Sequence, residues 1–131
     1  MRRALNKLGD LARKCGVKLR QSYRRVAKHA LIWVDRYLHA HQFKRAHREL
    51  RFLRARLGRV IRDVRRKIHG DAALEERFDP LLSLASWVRQ QTQRQRGPEV
   101  RALHAPEVEC IGKGKACTPY EFGCTVVSPR R

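Results

Sequence analysis

Apolar residues recur at steps of three and four through most of the first 90 residues, which is the spacing of amphipathic helices. The pattern predicts four helices, over residues 4–15, 20–40, 42–69 and from 71 to about 89, with a polar run over 90–96. Gly16 and Gly70 are placed as helix stops. The third stripe is too long to be buried alone, so we expect the second and third helices to form an antiparallel hairpin with coiled-coil-like packing. Tyr23, Trp33 and Tyr37 are expected in the core of this hairpin.

The hydrophobic period changes after Pro98. Stretches that alternate or run apolar predict three β-strands, over residues 100–104, 107–111 and 120–127. Three strands with one apolar face do not complete a core, so the sheet is expected to be partial. The predicted fold class is therefore α+β. It has a basic helical segment over residues 1–97 and a partial β-sheet segment over residues 98–131.

The charge of the chain points to a polyanionic partner. Lys and Arg number 31 against 12 Asp and Glu, and the net charge is +19 with neutral histidines. Residues 1–97 carry 26 of these bases and only 8 of the acids. Phosphates attract Lys and Arg regardless of base sequence, so we expect a nucleic acid as the partner.

The same composition argues against membrane or export targeting. No stretch approaches the ~18 apolar residues of a membrane-spanning helix, and no secretory signal is visible. The Arg-rich first 25 residues superficially resemble a transit peptide, but their pattern continues far beyond them. We therefore expect a cytoplasmic protein with reduced thiols and no membrane partner.

One face of the third predicted helix is a dense ridge of cations. At about 100° per residue these side chains fall opposite the apolar stripe or on its shoulders, with too few acids for i,i+4 pairing. A solvated face without a partner is the alternative to phosphate contacts. The candidate DNA-binding residues are Lys44, Arg45, Arg48, Arg51, Arg56, Arg59, Arg62 and Arg66. Phe52 falls on the same side, where it stacks on a base, contacts another subunit or has no role.

Metal and catalytic chemistry have little support. His104, Cys110, Cys117 and Cys124 are four soft ligands, but C-x6-C-x6-C spacing lacks the tight C-x2-C pair of zinc sites. Residues 112–115, Gly-Lys-Gly-Lys, lack the earlier glycine and the following Ser or Thr of a phosphate loop, so a basic hairpin turn is expected. No metal site and no catalytic group are predicted.

Three strings carry a resemblance to a known family: RQSYRRVAKHALI (20–32), YLHAHQFKRAHRELRFLRARLGRVIRDVRRKIHGD (37–71) and LHAPEVECIGKGKACTPYEFGC (103–124). Over residues 3–124 the chain resembles bacterial insertion-sequence transposases of the DDE type, from the insertion sequence five group. HAPEVECIGKGK and PYEFG are the most specific strings. Such enzymes have a ribonuclease-H-like domain in which Asp, Asp and Glu bind two divalent metal ions, usually Mg²⁺.

The resemblance implies a fragment without the catalytic acids. Residues 3–97 would follow the first catalytic Asp, and residues 100–127 would be strands of an incomplete ribonuclease-H-like domain before the second. The three acids would then lie before Met1 and beyond Arg131, and the tail from Thr125 departs from the family's pattern. We therefore expect an inactive transposase fragment, truncated or frameshifted, that binds DNA and carries no cofactor.

Two other interpretations stay open. The chain is alternatively a stand-alone basic helical protein that binds nucleic acid, with the hairpin as its functional unit. Less in keeping with the paired apolar stripes, its cationic helices lie on an anionic membrane surface. Self-association is left open in each case.

Overall fold

Four α-helices make up the first part of the chain: α1 (Arg2–Lys14), α2 (Arg24–His39), α3 (Phe43–Ile68) and α4 (Ala72–Gln90). The computed structural model describes residues 1–92, 99–106, 108–112 and 120–123. The chain divides into two compact units, Met1–Gln90 and Gln91–Arg131. The sequence predicted a boundary between residues 97 and 98. Both residues lie outside the described residues.

The ends of the helices follow local backbone chemistry. Gly16 and Gly70 have φ of 70° and 92°, the left-handed region that glycine enters without strain, and they lie just beyond α1 and α3. Asp71 accepts a hydrogen bond from the backbone N–H of Leu74 at 3.2 Å, which is N-cap geometry for α4. Pro80 lies inside α4, which continues through it as one helix.

The core of the helical unit is centred on α3, which packs against each of the other three helices. Its buried apolar stripe consists of Ala46, Leu53, Leu57, Val60, Ile61, Val64 and Ile68. Leu5 and Leu8 of α1 and Phe78 of α4 meet this core and are fully buried. Since only residues 40–42 join α2 to α3, the two helices reverse direction and form the predicted hairpin.

The side chains that α2 buries are small. They are Ala27, Ala30 and Val34. The expectation of Trp33 in the core is wrong, because its side chain is 45% exposed. Small residues fill the contact line with α3, and the indole lies beside it, stacked on the ring of Tyr37 at 5.6 Å between centroids. Tyr23 and Tyr37 are half-buried.

The predicted α+β fold class, with a partial ribonuclease-H-like sheet, is wrong. The core that the described residues form is all-helical, because the four helices bury their stripes against one another and need no sheet to complete it. Beyond them, the regular structure among the described residues is a ladder of two four-residue segments, β1 (Glu109–Gly112) and β2 (Tyr120–Gly123). They pair antiparallel, with Glu109 opposite Gly123. A two-stranded ladder of this length does not form the core of a domain.

Of the three strands expected from the sequence, the first is absent from the described residues and the other two correspond to short strands. Residues 100–104, expected as the first strand, have irregular backbone. The second and third strands were placed at 107–111 and 120–127, where the structure has β1 and β2. Residues 107, 113–119 and 124–127, including the expected basic turn, lie outside the described residues.

Candidate nucleic-acid interface

The segment between α1 and α2 is held against the C-terminal half of α3. The backbone N–H of Arg20 donates to Oδ2 of Asp63 at 2.8 Å. Lys67 donates from Nζ to the carbonyl oxygen of Lys18, and the same Nζ lies 3.8 Å from Asp63. One acid and one lysine of α3 therefore fix this non-helical segment.

A cleft of ≈ 400 Å³ lies between this segment and α3, and we call it the arginine cleft. It is lined by Arg20, Gln21, Tyr23, Arg59, Arg62, Asp63 and Arg66. Four arginines thus line a concave surface together with one aspartate. A concave site bounded by protein focuses their positive potential more than a flat helix face does.

Tyr23 lines the cleft, and two arginines lower the pKa of its phenol. Its backbone φ of 53° places it in the left-handed region, at the start of α2. Arg59 donates a hydrogen bond to the phenol and lowers the pKa of Tyr23 below its usual value of 10.0, against a smaller opposing effect of burial. The positive charges of Arg59 and Arg56 lower that pKa further.

Arg56 is enclosed by aromatic rings. Its guanidinium carbon lies 5.2 Å from the ring centroid of Tyr23 and 4.5 Å from that of Phe52. Both are cation–π distances, and the residue is half-buried. Arg56 is therefore a packing residue, and the half-buried Phe52 has a role that the sequence did not suggest, as one of its two aromatic partners.

The N-terminal half of α3 carries the open part of the predicted site. Lys44, Arg48 and Arg51 are exposed, and we call them the outer ridge. Arg45 is also exposed but is turned toward the hairpin: it donates to Oε1 of Gln42 at 2.9 Å and lies 5.9 Å from the Tyr37 ring. At 1.5 Å per residue the outer ridge and the cleft together follow about 33 Å of helix.

The structure thus separates the predicted residues into three groups. Arg59, Arg62 and Arg66 meet in the arginine cleft, whereas the outer ridge stays on the open helix surface. Arg56 and Arg45 are occupied by neighbouring side chains. Arg20 completes the cleft and was missed, because the candidate cations were sought along the third predicted helix alone.

The acids of the helical unit leave this face unbalanced. Asp10 binds Arg24 at 2.8 Å and Arg13 at 3.0 Å. In the part of the chain that the structure describes, Arg48 is the one predicted site residue with a carboxylate partner, Glu49 at 3.7 Å. Exposed ion pairs of this length are weak, so the positive charge of the face remains available to a ligand.

Other candidate chemistry is not supported by the described residues. Within them no three His, Cys, Asp or Glu side chains come together as a metal site. Cys117 and Cys124 of the weak zinc pattern lie outside the described residues. In the same part of the chain, none of the helices has both the length and the apolarity that crossing a bilayer requires.

Comparison of the chain with known proteins finds no relative. No protein-family model matches the chain, and neither a curated protein nor a solved structure is significantly similar to it.

Proposed function

We propose that the helical unit binds nucleic acid by contacting the phosphate backbone. The ligand that we expect is duplex DNA. The observation that carries this proposal is the one-sided basic face of α3, on which the outer ridge and the arginine cleft lie opposite the buried stripe. Lys and Arg that neutralise phosphates release condensed counterions, which is the main source of affinity in binding without sequence preference.

The chemistry of the face favours phosphate over base contacts. Its polar groups are almost all guanidinium and ammonium groups, which position a protein on the backbone. Asn and Gln are the residues that pair with adenine edges in the major groove. Near this face the residues of this kind are Gln21 and Gln42, and the side chain of Gln42 accepts a hydrogen bond from Arg45. Binding should therefore discriminate little between base sequences.

The biological setting that we propose is that of a transposase fragment. The strings at 20–32, 37–71 and 103–124 support this origin, and the basic face gives such a fragment a means of holding DNA. No catalytic step is proposed for the described residues. The alternative is a stand-alone nucleic-acid-binding protein, for which the same face would serve.

The proposal is tested by binding to duplex DNA over a salt series. The purified chain is titrated with a random duplex and a transposon-end duplex, with circular dichroism on the same sample. The logarithm of the binding constant should fall steeply and linearly with that of the salt concentration, with equal slopes for both duplexes. A markedly tighter complex with the transposon-end duplex would contradict binding through the phosphate backbone alone and would show sequence recognition.

Charge-matched variants identify the face. Arg51→Gln with Arg62→Gln removes two cations from the basic face of α3, and the slope should become shallower by about 0.9 for each lost phosphate contact. Lys28→Gln with Arg77→Gln removes two exposed cations from α2 and α4. Should this control weaken binding as much as the α3 variant, the affinity would belong to net charge and not to the proposed face.

A further inference from the structure

The arginine cleft differs from the outer ridge in shape as well as in charge. Arg59, Arg62 and Arg66 project from successive turns of α3, at positions i, i+3 and i+7. Arg20 faces them from the segment that precedes α2. A phosphate on the outer ridge meets cations from one side, whereas a phosphate in the cleft lies between arginines of α3 and Arg20 on the opposite wall.

The cleft is formed before a ligand arrives. Asp63 accepts the Arg20 backbone N–H, and Lys67 holds the carbonyl of Lys18, so its two walls are tied together. Asp63 is the one acid of the lining and is already engaged by these groups. Within the described residues, none of the four guanidinium groups of the cleft pairs with a carboxylate. A preformed cationic site loses little entropy when it binds an anion.

The size and charge of the cleft indicate which phosphate it takes. The four arginines and Asp63 leave an excess of three positive charges in ≈ 400 Å³. Guanidinium groups bind phosphate oxygens in bidentate pairs, and a phosphomonoester presents three such oxygens and close to two negative charges. A phosphodiester has two free oxygens and one charge. Sites of this volume also hold more than a single phosphate, which leaves room for the attached sugar.

We propose that the arginine cleft binds a terminal phosphate, the phosphomonoester at the end of a nucleic-acid strand. This deepens the proposed function and rests on it: the outer ridge holds the backbone, and the cleft holds the end. Arg62 and Arg66 supply the bidentate contacts. Arg59 lies beside them in the lining of the cleft.

The test compares two labelled oligonucleotides of equal charge. One is a trimer with a 5′-phosphate, and the other is a pentamer with a 5′-hydroxyl. At pH 8 each carries about four negative charges, because the second pKa of a phosphomonoester is about 6. Binding to the full chain is measured by fluorescence anisotropy at low salt. The phosphorylated trimer should bind at least five-fold more tightly, although it is shorter.

A matched pair of variants assigns the preference to the cleft. Arg62→Gln should abolish it. Arg51→Gln lies on the same helix face, about 12 Å along the axis from Arg59, and removes the same charge, so it should keep the preference. Equal affinities for the two oligonucleotides, or loss of the preference in both variants, would overturn the inference.

Two further comparisons complete the test. One distinguishes a strand end from free phosphate, and the other distinguishes failure of this inference from failure of the proposed function. Inorganic phosphate should compete with the trimer at least ten-fold more weakly than unlabelled trimer does, and equal competition would overturn the assignment to a strand end. If duplex binding itself fails in the salt series, the proposed function fails. If duplex binding holds and only the end preference is missing, this inference alone fails.

Discussion

The guanidinium of Arg56 lies between two aromatic rings that come from different parts of the chain. Phe52 precedes it by one turn of α3, and Tyr23 lies at the left-handed residue that opens α2. The cation therefore connects the start of α2 to α3 at the edge of the arginine cleft. Its charge contributes to the field of the cleft, but its contacts are those of a packing residue.

The change Arg56→Gln is expected to destabilise the helical unit. It removes two cation–π contacts from a half-buried position, which together contribute about 1–2 kcal/mol. Arg51→Gln, an exposed residue of the same helix, should change the free energy of unfolding by less than about 0.5 kcal/mol. Urea unfolding followed by circular dichroism measures both. Similar stabilities for the two variants would show that the rings contribute nothing through Arg56.

The candidate site could be predicted only as far as helical periodicity reaches. Spacing alone placed Arg59, Arg62 and Arg66 on one face, which is the face that lines the cleft. It also placed Arg56 there, because a helical wheel gives the direction of a side chain and does not show the Tyr23 ring, which approaches from another segment. Arg20 could not be found, since its position depends on a hydrogen bond from its backbone to Asp63, 43 residues away in sequence.

At the scale of the helices, the contact between α2 and α3 depends on small side chains. Ala27 and Ala30 are 1% and 4% exposed, and Ala46 of α3 is fully buried. Larger apolar side chains of α2, such as Ile32 and Leu38, remain about two-fifths exposed, at 41% and 42%. The stripe of α2 thus lets the helix lie close to α3 and does not add bulk to the core.

This close contact predicts opposite tolerances for two positions of α2. Ala30→Leu inserts a large side chain where no space exists and should lower the free energy of unfolding by about 1–3 kcal/mol. Ile32→Leu changes an exposed side chain of equal volume and should leave stability within about 0.5 kcal/mol. Thermal and urea unfolding of both variants check this. A stable Ala30→Leu protein would mean that the helices are more loosely packed than the burial of Ala30 indicates.

The helices were predictable because each carries its own signal, and the sheet was not. The predicted bounds of the third helix, 42–69, differ from those of α3, Phe43–Ile68, by one residue at each end. The second helix is predicted to begin at residue 20, but α2 begins at Arg24. Residues 20–23 share the spacing of the helix, whereas Tyr23 adopts a left-handed backbone and lies outside it. Alternation after Pro98 favoured three strands, but strand pairing depends on partners distant in sequence, which alternation does not specify.

For the whole molecule, charge and core reside in the same unit. The buried apolar side chains lie between Ala4 and Ala85, as far as the structure describes burial. The outer ridge and the arginine cleft also lie within Met1–Gln90. Residues 98–131 contribute 5 basic and 4 acidic side chains, so their net effect on a polyanion is small. Folding and phosphate binding should therefore both be properties of the helical unit.

A fragment of residues 1–92 tests this directly. It should keep a cooperative thermal transition, because it retains α1 to α4 and the complete stripe of α3. Its salt dependence of duplex binding should match that of the full chain within about one phosphate contact, since each contact contributes about 0.9 to the slope. Circular dichroism and the salt series supply the two measurements. A folded fragment whose slope is much shallower would place phosphate contacts in residues 93–131, and an unfolded fragment would show that the four helices depend on the second unit for their stability.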